Sequence, residues 1–345
     1  MMNGKLNNLS FPLIQGGMGV GISLSGLAGA VAKEGCMGVL SSAYIGINQK
    51  DFEKDRRKES IQAIRIEIEK ARKISQGNGL IGINIMCALR DYEAHVKESL
   101  ESGVDAIISG AGLPLKLPDL AKGYNTLLIP IVSSQRVTKL ICEYWQKKYN
   151  RLPDAIIIEG KKAGGHLGYS YSELEQMNDA DLLHTLREVK KYLSQDSIMK
   201  DIPVFVAGGI TDSKEVETYL KNGANGIQVG TAFAISKESD ASKEYKEILI
   251  KAKTEDTLVI QSPVGLPARA IKTPYLYTKA TPKKCIGCLK TCKGLKAEFC
   301  LSEALIAAVK GDLQKGVFFT GSEIGKFNES LNVQEIIKQL FKERQ

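Results

Sequence analysis

Residues 202–232 read IPVFVAGGITDSKEVETYLKNGANGIQVGTA. An apolar run, Ile202–Gly209, ends in a glycine pair. An amphipathic stretch over Lys214–Lys221 follows and stops at Asn222–Gly223, as a helix C-terminus does. A second apolar run, Gly226–Ala232, then begins. Neither run shows the alternation of a half-solvated strand. Both read as strands buried on two faces, which belong to a parallel sheet with a helix as the connection.

The same unit recurs upstream. Further apolar runs occupy Pro12–Gly17, Met37–Ala43, Leu80–Cys87, Asp105–Gly112, Leu127–Ser134 and Asp154–Gly160. Between them lie helical periods, such as Ile61, Ile64, Ile68, Ala71 and Ile74, and a second over Val137–Tyr149. Eight strands, each with its helix, predict an α/β fold of the (β/α)8 TIM-barrel type. A doubly wound open sheet usually has fewer strands and one early Gly-rich fingerprint. The barrel is expected over residues 10–250. Beyond it the rhythm breaks, with two prolines and a glycine in Gln261–Arg269, a cysteine cluster, and helical patterns at Ser302–Lys310 and Val333–Phe341. Residues 251–345 therefore read as a small C-terminal cap.

The 345 residues are 43% hydrophobic and 25% charged, which excludes disorder, collagen and coiled coil. No apolar run approaches the ~20 residues of a membrane span, and the start MMNGKLNNLSF lacks a signal-peptide core. A cytoplasmic protein with no membrane partner is expected. The net charge of +8 is spread without long like-charge runs, which argues against nucleic acid. Such a field suits an anionic small molecule or an acidic carrier. Seven cysteines in this setting predict no disulfides. Cys36, Cys87 and Cys142 lie in apolar periodic segments and read as buried packing residues.

In such a barrel the chemistry sits at the C-terminal strand ends. There the sequence concentrates glycine: Gly16–Gly17–Met18 after the first run, Gly208–Gly209 after the seventh, and Gly230–Thr231 after the eighth. The last two are where many barrels bind phosphate, so a phosphorylated cofactor is the default ligand. His166 follows the sixth run inside Ala163–Gly–Gly–His–Leu–Gly168, and imidazole is the natural general base near neutral pH. His95 and His184 lie in helical segments among charged neighbours and read as solvated. No Ser-His-Asp order, HExxH or Walker sequence is present. Glu159 is the main strand-end carboxylate, which leaves glycosidase chemistry without a pair.

Pro12–Leu–Ile–Gln–Gly–Gly–Met18, Gly82–Ile–Asn–Ile–Met86, Ala163–Gly–Gly–His166, Ala207–Gly–Gly–Ile210 and Gln228–Val–Gly–Thr231 resemble, in order and spacing over roughly residues 10–275, the nitronate monooxygenase family. That family, formerly the 2-nitropropane dioxygenases, includes flavin-dependent enoyl-acyl-carrier-protein reductases. The resemblance implies an FMN-binding barrel. Gly16, Gly17 and Met18 would line the isoalloxazine; Asn84, Glu159, Gly164, Gly165, Gly208 and Gly209 would contact FMN; Gln228, Val229, Gly230 and Thr231 would hold its phosphate end. His166 matches the family's active-site histidine, a base on neutral nitroalkanes or an aid to substrate binding. Alkyl nitronates would be oxidised with oxygen to carbonyl and nitrite. Glu159 and the Gly-Gly-Met start resemble the reductase branch, which would use NAD(P)H on an enoyl thioester, with acyl carrier protein as partner, or on a quinone. Lys162 stands where many relatives have Glu. A barrel that binds a phosphorylated metabolite without redox chemistry is the remaining alternative, and a homo-oligomer is compatible with all three.

The spacing Cys285-x2-Cys288-x3-Cys292-x7-Cys300 is not a common zinc pattern. It resembles the CIGCxxxC segment of iron–sulfur flavoenzymes of the 2,4-dienoyl-CoA reductase type, with a shorter last spacing. An iron–sulfur cluster, a structural zinc, or reduced thiols made reactive by Lys283, Lys284, Lys290 and Lys293 are the alternatives.

Overall fold

The computed structural model describes residues 4–176, 178 and 181–342. Among the described residues eleven strands occur in chain order: β1 (Leu13–Gln15), β2 (Met37–Ser41), β3 (Leu80–Asn84), β4 (Ala106–Ser109), β5 (Leu127–Val132), β6 (Ile156–Glu159), β7 (Gly165–His166), β8 (Val204–Ala207), β9 (Gly226–Val229), β10 (Thr257–Gln261) and β11 (Pro267–Ile271). Eight of them close a parallel barrel in the order β1-β2-β3-β4-β5-β6-β8-β9. Closure is made by β1 on β9, with Leu13, Ile14 and Gln15 opposite Ile227, Gln228 and Val229. The (β/α)8 fold expected from the run count is the fold observed.

Each strand supplies two layers, because successive side chains point to opposite faces. Ile14, Val39, Ile108, Ile129, Ile157 and Phe205 form one buried cluster that fills the barrel. Their neighbours Leu13, Leu40, Ile107, Leu128, Ile156 and Val204 join a second cluster with helix residues Ile64, Ile68, Ile141 and Trp145. Both faces are therefore apolar, which explains the unalternating runs. Helix starts are set by side chains that accept from orphan backbone N–H groups. Asp55 accepts from Lys58, Ser134 from Val137 and Asp212 from Glu215, at 3.1, 3.3 and 2.9 Å. Helix Ser25–Lys33 is capped from far along the chain, by Asp240, which accepts from Leu24, Gly26 and Leu27.

His95 corrects one expectation. Helix Tyr92–Glu101 turns it inward beside Tyr92, Val96 and Leu100, leaving it 4% exposed. Burial pushes its pKa down to about 4. Its charged sequence neighbours sit on the other face of the helix, as i, i+3 and i+4 spacing requires. His184 is exposed, 3.5 Å from Glu188. Cys36 and Cys142 are buried as expected, whereas Cys87 is half-buried, with Sγ 3.4 Å from Ser109 Oγ.

The chain after helix Lys243–Lys251 covers the C-terminal mouth of the barrel. β10 and β11 form an antiparallel pair, and β11 pairs with β7, so that Ala268 lies opposite His166. Phe319 then bridges to Ala270. Helix Val333–Leu340 returns toward the start of the chain, where Phe341 packs on Phe11 with ring centroids 5.1 Å apart. Among the described residues no helix is long and apolar enough to cross a membrane.

Candidate active site

Two adjoining cavities open at the C-terminal strand ends, of about 1250 and 760 Å³. Gly17, Met18, Asn84, Glu159, Gly164, Gly230 and Thr231 line both. The smaller is completed by Gly16, Gly208, Gly209, Gln228 and Val229, the larger by Gly165 and His166. The structure thus brings together all fourteen residues singled out around a cofactor and a base. They come from β1, β3, β6, β8, β9 and the loop after β6, and only closure of the barrel makes them neighbours.

The loop after β1 is tied to its surroundings by Gln15, whose Oε1 accepts from Val39 N (2.9 Å) and whose Nε2 donates to Ser23 Oγ (3.0 Å). Met18 N donates to the same hydroxyl at 3.0 Å. After β8 the chain turns through Gly208 and Gly209 with φ of +101° and +81°, a region that side chains disfavour. This turn aims backbone groups at the smaller cavity. Gln228 is buried in its wall, and its Oε1 has no hydrogen-bond partner among the described residues. A buried acceptor without a partner costs on the order of 1–3 kcal/mol, so that wall is complementary to a ligand carrying a donor.

Lys162 also lines this cavity, 3.0 Å from Glu323, which Lys326 reaches at 3.0 Å. The loop that carries Lys162 is clamped by buried Arg269, which donates to the carbonyls of Lys161 and Ala163. Arg269 belongs to β11, so the cap holds the site loop in place.

His166 faces the larger cavity from β7. Its Nε2 lies 2.8 Å from Ser262 Oγ, and its ring meets Phe319 edge-on at 5.3 Å. Burial pushes its pKa down to about 4, so it is neutral at pH 7. Across the shared wall, burial pushes the Glu159 carboxyl up to about 8. Its backbone carbonyl accepts from Tyr169 OH at 2.7 Å. The folded state therefore binds a proton at Glu159 that the unfolded chain has lost above its ordinary value of 4.5. That stabilisation is complete below pH 4.5 and is lost as pH rises toward 8. Thermal unfolding of the ligand-free protein should show Tm falling across this window, and Glu159→Gln should flatten the fall. A Glu159→Gln profile parallel to the parent's would remove the buried carboxyl as its source.

A family model for nitronate monooxygenase matches residues 2–343. The chain belongs to the nitronate monooxygenase family. A probable nitronate monooxygenase of Staphylococcus saprophyticus is 36% identical over 124 residues, which are 36% of this chain and 33% of that protein. One from Staphylococcus aureus strain N315 is 37% identical over 123 residues, again 36% and 33%. The aligned stretch thus spans about a third of the length of these curated relatives. Among solved structures, FabK from Thermotoga maritima superposes with a TM-score of 0.74 at 27% identity, covering 97% of this chain and 94% of its own. A nitroalkane oxidase from Streptomyces ansochromogenes gives 0.75 at 20% identity, covering 98% and 96%, and speaks for the fold alone.

Within this nitronate monooxygenase family member, several cavity residues had no sequence signal. Leu289, Leu301, Ser302, Leu305, Phe319 and Thr320 come from the cap, and Tyr245 from helix Lys243–Lys251. The cap loop is docked on the loop after β3. Leu289 bridges to Leu89, Arg90 N donates to Cys288 O at 3.0 Å, and Lys290 donates to Ala88 O and Cys87 O, both at 2.9 Å. These contacts seat Leu289 at the cavity and leave Cys285 exposed. Cys288 Sγ lies 3.3 Å from Ser302 Oγ, and Cys285 Sγ accepts from Gly287 N at 3.3 Å. Among the described residues no three Cys, His, Asp or Glu side chains are grouped to hold a metal ion. The metal expectation for Cys285, Cys288, Cys292 and Cys300 therefore finds no ligand set.

Proposed function

We propose that the chain is an FMN-dependent oxidoreductase of nitronate monooxygenase type, which oxidises nitronates with oxygen to a carbonyl compound and nitrite. The supporting observation is the continuity of the two cavities across Asn84, Glu159 and Gly164, one glycine-turned and polar, the other largely apolar with one histidine. That pair fits a ligand with a phosphate tail and a planar head. Gly208, Gly209, Gly230 and Thr231 would take the tail, Gln228 would accept from the group, and Gly17, Met18 and Asn84 would lie along the head. FMN, when bound, supplies the electron-accepting chemistry.

The chain's own residues orient and protect. Leu289, Leu301 and Leu305 exclude water above the cavity. His166, neutral and held by Ser262, is placed to accept a proton from a neutral nitroalkane or to orient its nitro group. Residues 10–250 would form the FMN barrel, and residues 251–345 the cap that completes the substrate wall.

A second reading is an NAD(P)H-dependent reductase of an enoyl thioester or a quinone. It is favoured by one observation: among the described residues the larger cavity is lined by no Lys or Arg, which suits an uncharged acceptor. The anaerobic half-reaction separates the two. With nitronate as donor, the oxidised-flavin absorbance should bleach rapidly, whereas NAD(P)H should act slowly. Bleaching by NAD(P)H alone would move the protein to the second reading, and purified protein without flavin absorbance would end both.

A further inference from the structure

The segment that covers the larger cavity is strongly basic. Residues 279–296 hold Lys279, Lys283, Lys284, Lys290, Lys293 and Lys296, with no Asp or Glu among them. Among the described residues Lys279 alone of the six is paired with a carboxylate, Glu298 at 2.9 Å. The segment forms the outer wall of the cavity. Leu289 lines the cavity and bridges to Leu89, and Thr291 Oγ1 donates to the carbonyl of Val264, another lining residue, at 2.6 Å. The chain meets the lining again at Leu301 and Ser302. Lys290, Lys293 and Lys296 therefore stand between two points of that wall, and all three are exposed. Arg90, also exposed, follows Leu89 and donates from Nε to the carbonyl of Gly287. The carboxylates close by in the chain are engaged elsewhere: Asp91 with Arg57, Glu93 with Lys116 at 3.2 Å, and Glu303 with Arg56. The positive excess of this wall is thus not cancelled locally.

We infer that Lys290, Lys293, Lys296 and Arg90 are the anion-attracting element of the cavity: from the outer side of its apolar wall they supply the positive potential that draws in an anionic substrate and offsets its charge. The inference rests on the nitronate reading of the site, and it assigns the residues that favour the anion over its neutral conjugate acid. A low-dielectric wall focuses such a field on the cleft behind it, so a cation need not line the cavity to act there. Cations left outside also stay hydrated and avoid the desolvation that a buried ion pair costs. Inside, burial pushes Glu159 and His166 toward their neutral forms, so neither sets a fixed negative charge against the field.

The test uses two unreactive probes of one shape, isobutyrate and isobutyramide, on the FMN-loaded protein at neutral pH. Calorimetry at about 0.01 M and about 1 M salt compares screening lengths of roughly 30 and 3 Å. Isobutyrate should bind at least about fivefold more weakly at high salt, and isobutyramide equally at both. The double variant Lys293→Gln/Lys296→Gln should weaken isobutyrate about two- to tenfold at low salt, the scale of exposed charges. Arg90→Gln should act in the same direction, and Lys293→Arg/Lys296→Arg should keep the parent's affinity. Isobutyramide binding, Tm and FMN content should match the parent's in every variant. In turnover the Gln variants should lower kcat/KM for a nitronate relative to that for its neutral nitroalkane.

An isobutyrate Kd unchanged in both Gln variants, an equal loss for isobutyramide, or no binding of isobutyrate at low salt would overturn the inference. So would a lowered Tm or FMN content in the Gln variants, which would make these side chains parts of the fold. If isobutyrate behaves as expected but nitronate does not reduce the flavin, the proposed reaction falls and the anion-attracting wall stands.

Discussion

Replacing His166 by Ala should leave FMN bound and lower turnover on a neutral nitroalkane by about 10²–10⁴, the range of general base catalysis. The reason lies in what surrounds the imidazole. Among the described residues His166 is the one histidine that lines either cavity. Its Nε2 is oriented by Ser262 at 2.8 Å and its ring by Phe319. With its pKa pushed down to about 4, it is unprotonated throughout the neutral range. Turnover on nitroalkane should therefore show no acid limb from His166 until the pH approaches 4.

A pre-formed nitronate has already lost the proton that His166 would accept. Its turnover should fall far less in the variant, and the ratio between the two substrates is the decisive reading. Equal losses on both would make His166 a positioning residue. No loss on either would remove it from the chemistry.

Gly164→Ala should damage both fold and site. A Cβ at this position would stand 2.4 Å from the carbonyl carbon of Thr320 and 2.6 Å from Gly321 N. Those are backbone atoms and cannot rotate away, so the cap segment that carries Phe319 and Thr320 must move. The expected cost is about 1–3 kcal/mol, read as a lower Tm. Flavin content should drop with it, since Gly164 lies on the wall shared by both cavities. Gly4→Ala is the control, because nothing lies within 4 Å of its added Cβ. If Gly164→Ala matches the parent in Tm and flavin content, the close seat of the cap on the barrel is not needed for either.

Much of this site was legible because barrel geometry is a counting argument. Once the apolar runs are numbered, their C-terminal ends must share one face, so Gly17, Asn84, Glu159, Gly209 and Gly230 could be grouped without knowing a single contact. The misreadings have local causes. His95 was judged by its neighbours in the chain, whereas a helix sorts residues by face. β7 is two residues long and has no periodicity to read.

By itself the sequence determined the barrel, the family and the face that carries the chemistry. These follow from strand count, two-faced burial and glycine at strand ends, all of which are properties of short segments. Only the tertiary structure decided what closes the site. Tyr245, Phe319, Thr320 and Leu289 reach the cavity through contacts between segments far apart in the chain. The proton affinities of His166 and Glu159 are set by burial that no segment possesses alone.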